Sequence, residues 1–163
     1  HRDIATLSGG ERRRLSIARL LAARTFNQGF ATVEFLASAI LDMELHLHPA
    51  PETLDIEAFE TAALSRLGMP AEISMRHRPA HFQHLFSGGG YAAGYYSYLW
   101  AEVLDADGFD AFTEAGDPFH PDTAARLKRV LAAGDTRDPM ELYVEFRGRP
   151  PGTAALLRMR GLV

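Results

Sequence analysis

Apolar residues return at three- and four-residue steps along the first third of the chain, through Ile17, Leu20, Leu21, Phe26, Phe30, Val33, Leu36, Ala37, Ile40, Leu41 and Leu45. That period belongs to a helix rather than a strand. No proline precedes Pro49, so helix is predicted across Glu11 to His48. Asn27-Gln28-Gly29 is its one weak point, where a first helix can end and a second begin. His48-Pro49-Ala50-Pro51-Glu52 reads as a loop, and Ile56 to Leu67 as an amphipathic helix stopped by Gly68 and Pro70. Met75 to Gly90 is irregular, with Pro79 and then Ser87-Gly88-Gly89-Gly90. The helical pattern resumes at Tyr91 and runs to about Asp107, followed by a short helix from Phe109 to Ala115 ended by Gly116. Pro121 to Ala133 is next, with proline in its first turn and Gly134 at its stop. Asp138 caps a helix that starts at Pro139 and runs through Phe146, and Thr153 to Arg160 forms the last, ended by Gly161. No segment alternates and none repeats, so the predicted fold class is all-α.

Composition narrows the function classes. The 163 residues suffice for one domain with a core, and 47% hydrophobic with 23% charged residues fits neither a disordered nor a collagen-like chain. A net charge of −4 argues against a nucleic-acid partner held mainly by charge. The absence of cysteine excludes disulfides, cysteine-ligated zinc and a thiol nucleophile. With no disulfides and no apolar leader at the N-terminus, the cytoplasm is the expected location. The longest apolar-looking stretch, Gly29 to Leu41, contains Glu34 and is too short for a bilayer, so no membrane partner is expected.

Residues 6–22 read TLSGGERRRLSIARLLA and resemble the signature segment of ABC-type ATPases. Exposed N–H groups at a helix start, with a serine hydroxyl, can bind an ATP phosphate. In that family, however, the segment faces a P-loop on another subunit. This chain has no G-x-x-x-x-G-K-[ST], and Leu41-Asp42-Met43-Glu44 lacks the adjacent acidic pair. The plainer reading makes Ser8 a helix cap and Glu11 the closing residue of a capping box.

Seven histidines raise the question of a metal. His77, His81 and His84 would share a face of a continuous helix, but Pro79 interrupts it. His46 and His48, two apart, point to different faces. H-E-x-x-H is absent, so no metal ligand is assigned in this chain.

The informative stretch is residues 77–100, HRPAHFQHLFSGGGYAAGYYSYLW. Gly88, Gly89 and Gly90 make a mobile loop. Tyr91, Tyr95 and Tyr98 then fall at i, i+4, i+7, which predicts a row of phenols on one helical face, with Tyr91 and Tyr98 roughly 10 Å apart. A protonated phenol can donate to a carbonyl or an oxyanion, and it can equally be packing with its hydroxyl at the surface. Tyr96, Leu99, Trp100 and Val103 look like plain core.

The segments LLAARTFNQGFATVEFLASAILDMELH, LGMPAEISMRHRPAHFQHLFSGGGYAAGYYSYLWAEVLDADGFDAF and RDPMELYVEFRGRPPGTAALLRMRGL resemble the C-terminal part of zinc metallopeptidases of the thimet oligopeptidase family, in its peptidyl-dipeptidase (dipeptidyl carboxypeptidase) branch. The likeness covers about Leu20 to Val163. It implies a helical zincin with a deep channel that cleaves short peptides with one zinc ion. That zinc is held by two histidines of H-E-x-x-H and a downstream glutamate, with the motif glutamate as general base, all upstream of the part matched here. By the same resemblance, Tyr91 and Tyr98 hydrogen-bond substrate and stabilise the tetrahedral intermediate. His84 is then the active-site histidine before the glycine loop, and Gly88, Gly89 and Gly90 are that loop.

Residues before the likeness, 1–19, do not fit it, which suggests an ABC-signature-like leader fused to a peptidase tail at residues 20–163. The leading expectation is a helical fragment of a peptidase that carries substrate-binding tyrosines but, lacking the zinc ligands, is inactive alone. The rivals are a non-enzymatic helical module that holds peptide and, confined to the first 22 residues, an ATPase fragment. A channel wall without its opposite wall should expose apolar surface and favour association.

Overall fold

The structure, a computed structural model, describes residues 6–163. The first five residues of the leader segment therefore lie outside the described residues. Among the described residues every regular element is helical: α1 (Gly9–Arg24), α2 (Gln28–Leu47), α3 (Ile56–Arg66), α4 (Gln83–Phe86), α5 (Tyr96–Glu114), α6 (Pro121–Ala133), α7 (Pro139–Arg147) and α8 (Ala154–Met159). Single 3₁₀ turns occupy Pro51–Thr53 and Pro79–His81. The all-α expectation holds.

The start of α1 is a complete capping box. The Ser8 hydroxyl accepts from the Glu11 N–H at 3.3 Å, and the Glu11 carboxylate accepts from the Ser8 N–H at 2.8 Å. The Ser8 N–H first, and the Ser8 hydroxyl second, hold the Glu11 carboxyl below its ordinary pKa. The break between α1 and α2 falls on Thr25-Phe26-Asn27, with Asn27 in the left-handed region at φ 58°. Asp55 and Asp138 cap α3 and α7 through their carboxylates, and Pro121 and Pro139 sit in the first turns of their helices.

Two expectations are corrected. Helix does not begin at Tyr91, because α5 starts only at Tyr96. The Gly94 N–H closes a turn on the Tyr91 carbonyl at 3.0 Å, and the Ala93 and Tyr95 N–H groups are held by Asp42 of α2 instead of entering a helix. Nor does the chain break between Asp107 and Phe109. Gly108 is helical, with the Phe146 ring 3.6 Å from where its Cβ would be, and packing outweighs the roughly 1 kcal/mol a mid-helix glycine costs.

Helix α5 is the common member of two of the three core clusters. Val103 and Ala106 pack on Ala155 and Leu156 of α8, while Ala111 and Phe112 meet Phe146 of α7 with Leu127 and Val130 of α6 alongside. The third cluster joins Leu41 of α2, Ala63 of α3 and Met75. The expected core face of Tyr96, Leu99, Trp100 and Val103 is half right. Val103 is buried and Leu99 packs beside it, but Tyr96 and Trp100 are exposed, because α8 covers only one side of α5.

Candidate functional site

The segment before α5 folds back on itself because of where its prolines and apolar residues fall. Pro79 starts a 3₁₀ turn, and Phe82 and Leu85 are buried. Leu85 anchors the short α4, which leaves His84 exposed on its other side. An exposed strap, Ser87 to Gly90, leads from α4 to Tyr91. A Cβ added at Gly88, Gly89 or Gly90 would meet nothing within 4 Å, so no contact inside the chain requires glycine there.

Tyr91, Tyr95 and Tyr98 do not share a helical face, since Tyr91 lies in the turn before α5. They are nevertheless gathered around one ring. Tyr91 lies over His84 with centroids 4.4 Å apart and planes tilted by 31°. The Tyr98 hydroxyl is 2.8 Å from His84 Nε2, a hydrogen bond whose direction follows the imidazole tautomer. Tyr95 meets Tyr98 edge-on at 5.5 Å and His84 at 6.2 Å. Histidine, rather than helix periodicity, is the organising centre.

Tyr95 forms the floor. It stacks on Phe35 of α2 at 4.9 Å and takes the edge of Phe82 at 5.0 Å. Burial pushes its phenol above the ordinary value, with nearby Arg76 opposing. Tyr91 and Tyr98 are exposed at the rim. Phe35, His77, His81, Phe82, Gln83, His84, Tyr95, Tyr98 and Glu102 line a cleft of about 540 Å³. Glu102, one turn beyond Tyr98, is held by Arg160, which also donates to the Thr32 hydroxyl at 2.7 Å and so ties the end of α8 to α2 and α5.

His77, His81 and His84 all border the cleft, yet among the described residues no three His, Cys, Asp or Glu side chains converge as a metal site. Sequence reasoning passed over Phe35, Phe82, Glu102 and Asp42 as contributors. The available signal for Asp42 was its place on the apolar stripe of α2 beside Leu41, where a carboxylate is buried only if something pairs with it.

Residues 10–162 match the family model "Peptidase family M3". The chain is 38% identical over 143 residues to the dipeptidyl carboxypeptidase of Escherichia coli (strain K12), covering 86% of this chain and 21% of that protein. It is 42% identical over 152 residues to a probable cytosolic oligopeptidase A of Arabidopsis thaliana, covering 89% and 21%. It is 39% identical over 149 residues to the oligopeptidase A of Haemophilus influenzae (strain ATCC 51907 / DSM 11121 / KW20 / Rd), covering 90% and 22%. The chain thus spans about a fifth of the length of these curated relatives. With nearly its whole length inside the match, the chain belongs to peptidase family M3.

Proposed function

We propose that this chain supplies the peptide-binding and oxyanion-stabilising wall of a zinc metallopeptidase cleft that cleaves short peptides, in the manner of a peptidyl-dipeptidase. The observation that carries the reading is the Tyr98 hydroxyl paired with His84 Nε2 at 2.8 Å on the rim of the cleft. With the hydrogen on His84 Nε2, the imidazole donates to the Tyr98 oxygen and leaves the single O–H of the phenol for substrate. When a peptide carbonyl enters, Tyr98 donates to its oxygen, and the bond strengthens as negative charge develops there. Tyr91 offers a second donor on the same side, and the open strap of Gly88, Gly89 and Gly90 lets substrate backbone approach.

The chain's own residues do not fit a zinc site. H-E-x-x-H is absent from the sequence, and no ligand cluster exists among the described residues. The zinc of this reading is held by residues outside the sequence and enters no step assigned here. Those same observations favour a second reading for the chain by itself, a module that holds a short peptide without hydrolysing it. Among the described residues no helix is long and apolar enough to cross a membrane. The cytoplasm is the proposed location, on the absence of cysteine and on a relative named as cytosolic.

The test uses a zinc-loaded, full-length peptidase carrying this segment. Tyr98→Phe keeps the ring and removes the donor, and kcat is expected to fall by about 10²–10³-fold, as for loss of one oxyanion donor. Tyr96→Phe, exposed and away from His84, is the control and should turn over normally. Unchanged turnover in Tyr98→Phe with zinc retained would sink the assignment.

A further inference from the structure

Asp42 lies in the middle of α2, 1% exposed, and makes no local cap or turn. Its two backbone partners come from more than fifty residues away. Oδ1 accepts from the Ala93 N–H at 3.1 Å and Oδ2 from the Tyr95 N–H at 2.9 Å. One turn further along α2, His46 Nδ1 is 2.9 Å from Asp42 Oδ1 and 2.8 Å from the Asp42 carbonyl. Both neighbours are acceptors, so the hydrogen is assigned to Nδ1. The other side of the His46 ring stacks on Phe86 at 5.6 Å with planes 12° apart.

These contacts converge on one stretch of backbone. Phe86 ends α4 immediately before the glycine strap, and Ala93 and Tyr95 lie two and four residues after Tyr91 on its far side. A single turn of α2 therefore grips both ends of the segment, while Gly88, Gly89 and Gly90 between them touch nothing at their Cβ positions. Within the gripped end, Ala93 has φ 53°, a conformation an alanine rarely adopts unless its surroundings impose it. The N–H of that same residue is the one held by the Asp42 carboxylate. Burying a carboxylate is costly unless it is fully paired, and here, besides His46, the pairing goes to loop backbone.

We propose that Asp42, with His46, is a positioning residue that fixes the two ends of the glycine strap and so sets Tyr91 over His84. The proposal rests on the peptide-binding reading only in giving that geometry a purpose. Asp42→Asn is the discriminating change. It is isosteric, but an amide presents one N–H₂ where the carboxylate had an oxygen, so one of the two backbone N–H groups must face a donor.

The experiment is NMR on the 163-residue chain. In the unaltered chain the His84 ring protons are expected upfield of their ordinary positions, because the Tyr91 ring lies over them. In Asp42→Asn that displacement is lost, while the methyl signals of Leu156 in the distant α5–α8 cluster stay in place. Retention of the His84 displacement in a folded Asp42→Asn chain would overturn the proposal. Should Asp42→Asn not fold, amide exchange in the unaltered chain decides. Ala93 and Tyr95 are expected to exchange on the order of 100-fold more slowly than Gly88, Gly89 and Gly90. Equal rates would overturn it. Neither readout involves hydrolysis, so its failure is distinguishable from failure of the Tyr98 assignment.

Discussion

The Asp107 carboxylate is buried, and three donors close on it: the Tyr143 hydroxyl at 2.6 Å, Arg147 Nε at 3.2 Å and Arg149 Nη2 at 2.5 Å. Burial opposes its charge, but the three hydrogen bonds and the Arg147 guanidinium outweigh it and hold the carboxyl below its ordinary pKa. Burial first, and the bond to Asp107 second, push the Tyr143 phenol up. The signs differ. A lowered carboxyl stabilises the fold above its unfolded pKa of about 3.9, and the effect is lost as pH falls through the folded value. A raised phenol stabilises it fully below about pH 10, and that is lost as pH rises through the folded value. Urea midpoints against pH are therefore expected to fall at both ends, with Tyr143→Phe shrinking the alkaline limb and, because it removes one of the donors to Asp107, part of the acid limb as well. Asp107→Asn should flatten the acid limb and cost about 3 kcal/mol at neutral pH, the lower end for a broken buried pair, because Arg147 keeps both bonds to Glu114. An unchanged acid limb in Asp107→Asn would refute this. At this scale the sequence was least legible. Apart from His46 beside Asp42, the donors to Asp107 and Asp42 lie 36–53 positions away, and no local pattern marks such partners.

Helix ends were far more legible, because they obey chemistry within five residues. Gly68, Gly116 and Gly161, each expected to stop a helix, all close the same motif with positive φ. For Gly161, its own N–H bonds the Arg158 carbonyl at 3.0 Å and the Leu162 N–H bonds Leu157 at 2.9 Å. What local chemistry could not give was the beginning of α5, where a tertiary carboxylate takes the N–H groups that a helix would have used. Nor could it give the neighbour of Gly161. A Cβ there would lie 2.9 Å from Thr25 Cγ2, in the turn between α1 and α2. Gly161→Ala thus meets two costs: about 1–2 kcal/mol for a left-handed alanine and about 1–3 kcal/mol for the collision. Adding Thr25→Ala removes the Cγ2 contact but leaves the Cβ at 3.0 Å, so it relieves part of the second cost and none of the first, and the double variant should be more stable than the sum of the singles allows. Strictly additive melting data would show that the end of α8 does not press on that turn.

For the whole molecule, periodicity announced an all-α chain but not which apolar stripes would find partners. Those of α2, α5 and α8 do. That of α1 does not: α1 buries no residue, and Ile17, Leu20 and Leu21 stand exposed. Phe26 is 80% exposed and Leu20 68%, continuing into Phe30 and Val33 on the first half of α2. Spacing cannot separate a stripe that is covered from one that is bare, since the 3.6-residue signature is the same in both. The gathering of Tyr91, Tyr95 and Tyr98 was anticipated, but on a helical face that does not exist. The tertiary grip on the loop, and not helix periodicity, supplies the geometry that gathers them. A bare apolar face of this kind promotes association in water. The chain is therefore expected to sediment with a concentration-dependent mass. Leu20→Glu together with Phe26→Ser should abolish that dependence. The glutamate also stands four residues before Arg24, an orientation that supports the helix by a few tenths of a kcal/mol. Because both side chains are exposed, the double variant should melt within about 0.5 kcal/mol of the unaltered chain. Sedimentation velocity over a concentration series, with melting curves beside it, makes the measurement. If the variant still associates as the parent does, α1 and the start of α2 are not the adhesive face. If it unfolds, those side chains hold contacts that their exposure denies.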